Sequence, residues 1–115
     1  MSVAHSLGFP RIGLKRELKT ALEKYWRGEL KPADLDACAR ALRAAHWKLQ
    51  ADGGVQLLPV GDFSYYDHVL DTSFLFGVVP ERLGSAAGNA DTVDLDRYFR
   101  AARGRAPTGS DAPAG

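Results

Sequence analysis

Apolar positions change rhythm several times along this chain, and each change marks an element. Val3 to Phe9 is a short mixed apolar segment that stops at Pro10, which predicts a strand of about five residues ending near Gly8. Pro10 to Gly13 reads as a turn, with Gly13 free to take backbone angles closed to other residues. From Leu14 the spacing becomes helical. Leu14, Leu18, Ala21, Leu22, Tyr25 and Trp26 form one apolar stripe, and Gly28 ends the helix. Lys15, Arg16, Lys19, Glu23, Lys24 and Arg27 lie off that stripe, with Glu23 placed to pair with Lys19 or Arg27 one turn away.

A second helix starts at Lys31-Pro32, with Pro32 suited to the first helical position and Asp34 in the positive first turn. Its stripe is Leu35, Cys38, Leu42, Ala45 and Leu49, and Gly53-Gly54 ends it. Val55 to Val60 is nearly all apolar, as a parallel strand covered on both faces requires; Pro59 places it at an edge or near the strand's end. Gly61-Asp62-Phe63 leads out of it. Tyr66, Val69, Leu70, Ser73 and Phe74 predict a third helix closed by Gly77. Val78 to Asn89 reads as a loop rich in small residues. A fourth helix follows Asp94 as N-cap, with Leu95, Tyr98, Phe99 and Ala102 inward and Gly104 behind.

The order is therefore β-α-α-β-α-α, an α/β arrangement whose two strands are most simply parallel neighbours. Two strands make a poor sheet, because each leaves an unpaired edge and an uncovered apolar face. The pattern predicts the opening, incomplete portion of a larger α/β barrel over residues 1–104, followed by a disordered tail over 105–115 with almost no apolar content. No internal repeat is present.

Charge and composition narrow the function classes. Fifteen basic and fourteen acidic residues in 115 leave a formal charge of +1, which argues against a dedicated nucleic-acid binder. The start of the chain lacks the features of a secretory leader, and no apolar run approaches the ~20 residues of a membrane span. One cysteine, Cys38, excludes an intrachain disulfide and fits a reducing, cytoplasmic setting. His5, His46 and His68 lack metal-ligand spacing, so no metal site is expected. Asp62 directly follows a barrel-like strand, where catalytic groups can sit, but a loop-bonding role towards Phe63 to Tyr66 is the simpler one. Tyr65, Tyr66, Asp67 and His68 invite an acid–base reading, yet structural roles suit them better. On the residues alone, Arg16 and Lys19 would be a solvated helix face.

Four stretches change that last reading. LGFPRIGLKRELK at 7–19, His46-Trp47, LLPVGDFSYYDHVL at 57–70 and RGRAPTG at 103–109 follow one another in an order and spacing similar to the N-terminus of cobalamin-independent methionine synthase. That family's resemblance implies a longer protein of two (β/α)8 barrels, the first without the catalytic centre. It implies methyl transfer from 5-methyltetrahydropteroyltriglutamate to homocysteine, without cobalamin, at a zinc in the second barrel whose His and Cys ligands lie outside this chain. The chain is then expected to be an N-terminal fragment, inactive alone. The resemblance further implies substrate contacts from the RELK segment, here Arg16, Glu17, Leu18 and Lys19. An oligoglutamate tail offers several carboxylates, and Arg16 and Lys19, three apart near a helix start, would meet them with a fork, a mobile cation and free N–H groups. Leu18 lies on the apolar stripe, so any contact from it would come from its backbone. The alternative is a non-catalytic stand-alone module that binds a polyanion or a protein partner through the LKRELK face.

Overall fold

The computed structural model describes residues 2–83 and 95–104. Four helices carry the described fold: α1 (Glu17–Trp26), α2 (Pro32–Asp52), α3 (His68–Leu75) and α4 (Leu95–Arg103), with a short 3-10 turn at Glu81–Leu83. No strand is formed among the described residues. The two segments expected as strands meet instead through one parallel bridge, His5 to Leu57.

That meeting has a steady register. Ala4 accepts the N–H groups of Gln56 (2.9 Å) and Leu57 (3.1 Å) on its carbonyl. Its own N–H donates to Gln56 Oε1 at 3.0 Å, and Phe9 N–H donates to Asp62 Oδ2 at 2.9 Å. The pairs are separated by 52 or 53 residues at both ends of the segment. A constant offset is what two parallel chains running side by side produce. The contact stays at a bridge because side chains, Gln56 and Asp62 among them, make bonds that a ladder would make through the backbone.

α2 matches its signals closely. Pro32 occupies its first turn and Gly53 its C-terminal end. Its inward face is rotated from the expected stripe: Leu35, Ala39, Leu42 and Gln50 are buried, whereas Ala45 and Leu49 face outward. Gln50 is satisfied in that position, accepting from Ser6 Oγ at 2.9 Å and donating to the His46 carbonyl at 3.1 Å. Trp47 Nε1 donates to the Pro59 carbonyl at 2.9 Å, fixing α2 to the second extended segment.

α1 begins later than its stripe suggests. Leu14 is 97% exposed and outside the helix, so the core face starts at Leu18. α3 is also shorter, because Asp67 caps it by accepting Val69 N–H at 2.9 Å. α4 turns Tyr98 and Phe99 inward as expected; Asp94, expected as its N-cap, and the tail 105–115 lie outside the described residues. Leu18, Ala21, Leu22, Leu35, Leu42, Tyr98 and Phe99 form one core cluster. Phe99 sits at its centre, with ring contacts to Tyr25, Trp26 and Tyr98 at 5.1–5.5 Å. No helix among the described residues is long and apolar enough to cross a membrane.

Candidate functional site

The turn into α1 is built around Gly13. Its φ of 90° is in glycine's region, and a Cβ there would strike the Glu17 carboxylate and the Leu42 side chain. The Gly13 carbonyl accepts Arg16 N–H at 3.2 Å, and the Ile12 carbonyl accepts Leu18 N–H at 3.1 Å. These bonds deliver the chain to Arg16 with φ 57° and ψ 38°. Arg16 is the one non-glycine residue with positive φ among the described residues. A left-handed backbone costs an ordinary L-residue about 1–2 kcal/mol.

Arg16 holds the N-cap position of α1 but makes no side-chain cap bond. Glu17 serves the turn instead: its Oε2 accepts Lys15 N–H at 3.1 Å. No described residue partners the exposed Arg16 guanidinium. Lys19, also exposed, lies 3.8 Å from Glu23 Oε1, a long surface pair of a few tenths of a kcal/mol (about 0.3–0.5) that a stronger anion can displace. Leu18 is buried in the core and its N–H is already taken by Ile12. The sequence placed Arg16 on the helix; the structure puts it just outside, at the N-cap position. Two cations thus share the exposed start of α1.

The other candidates have structural partners. Asp62 bonds Phe9 N–H, and not the 63–66 loop expected of it. It also packs against Gly8, where a Cβ would come within 2.9 Å of it. Arg11 donates to the Tyr66 carbonyl at 2.7 Å. The small cavity between Phe9, Arg43, His46 and Asp62 encloses about 10 Å³, room for one water at most. Tyr65 donates its hydroxyl to Asp36 Oδ1 at 3.0 Å. Burial, and then the Asp36 bond, pushes its phenol well up.

Burial raises the Cys38 thiol, and the nearby Glu17 carboxylate adds to the rise. A thiol held protonated is neither a nucleophile nor a ready metal ligand at neutral pH. Among the described residues no three His, Cys, Asp or Glu side chains gather into a metal-binding group, so this donor set does not fit zinc. Two details lay beyond sequence reasoning: the Glu17 carboxylate, expected as a substrate contact, folds onto Gly13, and the Tyr98 hydroxyl, expected only as core, receives backbone N–H groups of Tyr66 and Asp67. The close spacing of Gly13, Lys15 and Glu17 was the available signal for the first; nothing local marked the second.

Comparison with known proteins gives a consistent result. The model of the cobalamin-independent synthase N-terminal domain matches residues 3–114. The 5-methyltetrahydropteroyltriglutamate–homocysteine methyltransferase of Saccharophagus degradans is 60% identical over 106 residues, covering 92% of this chain and 13% of that protein. Its namesake in Photorhabdus laumondii is 57% identical over 113 residues, covering 98% and 14%. That of Aeromonas salmonicida is 59% identical over 114 residues, covering 99% and 14%. The chain spans only about one-seventh of the length of these relatives. All three carry a methyltransferase name, which lends no support to a stand-alone binding module.

Proposed function

This chain belongs to the cobalamin-independent synthase family, in its N-terminal domain, and from that premise we propose that it is the opening of the non-catalytic barrel of a cytoplasmic methionine synthase. The full enzyme would transfer the methyl group of 5-methyltetrahydropteroyltriglutamate to homocysteine, the two compounds that its relatives' names carry. The barrel assignment is supported by the parallel His5–Leu57 bridge and the constant offset between the two extended segments. The zinc that the resemblance implies would be held by other residues, since no three His, Cys, Asp or Glu side chains gather among the described ones.

This segment's contribution is to hold the folate's oligoglutamate tail. The observation that carries the reading is the exposed Arg16 guanidinium at the start of α1, near Lys19 and without a partner among the described residues. Arg16 supplies a planar fork for one carboxylate and Lys19 a mobile charge for another. The first-turn N–H groups of α1 add a favourable field. In the same RELK segment, Leu18 serves the core, and its N–H is held by the Ile12 carbonyl.

The test is charge reversal in a full-length relative whose matching segment carries this sequence. Each charged hydrogen bond is worth about 1.5–3 kcal/mol, so Arg16→Glu with Lys19→Glu should raise KM for the triglutamate folate at least about tenfold. KM for the monoglutamate folate should move far less. Equal losses for both substrates would refute the tail contact.

A further inference from the structure

We propose that Glu17 is a positioning residue that holds Arg16 in its left-handed conformation, so that the Arg16 side chain is presented to ligand without a competing partner. The inference rests on the tail-binding reading above. It differs from it in giving Glu17 no contact with folate.

A carboxylate beside a polyanion tail would repel it. Glu17 folds back instead: its Oε2 accepts Lys15 N–H at 3.1 Å and sits over Gly13, where a Cβ would have to displace it. That hook fixes residues on both sides of Arg16. Gly13 O receives Arg16 N–H, and Arg16 O receives Thr20 N–H at 3.1 Å, so the strained residue is pinned between the turn and α1. Asn, Asp or Gly would occupy this backbone region with less strain. Arginine gains nothing from it locally, since its side chain makes no cap bond. Strain fixed by the surrounding bonds, with no gain to the strained side chain itself, points to a role for that side chain.

Substitutions in the full-length relative carrying this segment test the coupling. Glu17→Ala should weaken triglutamate folate binding about as much as Arg16→Ala, near tenfold in KM, and the double variant should be no worse than either single one. Glu17→Gln keeps an oxygen that can accept Lys15 N–H, so it should retain most of the affinity. Thermal melting gives an independent reading: Arg16→Gly should raise the midpoint when Glu17 is present and should not when residue 17 is alanine. Additive KM losses, a Gln variant as impaired as the Ala variant, or an Arg16→Gly gain that is absent or indifferent to Glu17 would overturn the proposal. If Arg16→Ala leaves triglutamate binding intact, the tail reading fails, and the melting cycle still decides whether Glu17 holds Arg16.

Discussion

The Tyr98 hydroxyl accepts the backbone N–H of Asp67 at 3.1 Å, joining the buried face of α4 to the residue that caps α3. The same oxygen accepts Tyr66 N–H at 3.1 Å and lies 3.3 Å from Ser64 Oγ. Ser64 is itself buried, and it offers Tyr66 N–H a second acceptor at 3.2 Å. Asp67 N–H has no such alternative among the bonds described here. Tyr98 is therefore both a core ring, 5.1 Å from Phe99, and the polar hub of this corner.

Tyr98→Phe isolates the hydroxyl, because the ring and its contacts with Phe99 and Phe74 remain. Asp67 N–H would lose its acceptor, and a half-buried unsatisfied donor costs about 1–3 kcal/mol. The expected outcome is a lower urea midpoint with an unchanged slope. An unaltered midpoint would show that the hydroxyl bonds contribute nothing net.

Alkaline pH acts on the same corner. Burial first, and then Asp71, raises the Tyr98 phenol, while burial and the Asp36 bond raise Tyr65. The unfolded chain releases both protons near the ordinary tyrosine value of about 10, whereas the folded chain holds them to higher pH. Stability should be full below about pH 10 and fall as pH rises beyond it, since the unfolded state then binds fewer protons. Denaturation midpoints on either side of that value, with tyrosinate absorbance as the titration signal, give the check. Tyr65→Phe should flatten the decline; an unchanged alkaline slope would contradict the shift.

The same residues show how far the sequence could be read. The limits of α2 were legible because Pro32 and Gly53-Gly54 act locally, through a missing N–H and through backbone freedom. Its inward face was less so: a periodic stripe marks which side is apolar, and cannot say whether Ala45 and Leu49 find a neighbour. Leu14 fits the α1 stripe perfectly well but lies outside the helix, because the Gly13 turn and left-handed Arg16 delay its start. Arginine carries no propensity for that conformation, so the site's most informative geometry had no signature in composition. The two extended segments were placed side by side correctly, in parallel, yet a strand needs partners beyond its own segment to build a ladder. RGRAPTG lies outside the described residues from Arg105 onward.

Exposed apolar side chains lead to the last prediction. Leu7 is 98% exposed, Phe76 77% and Val69 73%, and Val69, Phe76 and Val78 line one open groove beside α3. Contiguous apolar surface of this kind in water favours association, and extended segments with unpaired backbone add a second route. The isolated 115-residue chain should bind a hydrophobic dye, scatter more light as its concentration rises, and form no methionine from homocysteine and methyl-folate. Val69→Lys with Phe76→Lys should reduce the scattering with little change in the urea midpoint, because neither side chain is buried. A monomer that stays monodisperse as its concentration rises would contradict the uncovered-face argument. Scattering unchanged by the two lysines would move the association site from the α3 groove to the unpaired extended segments.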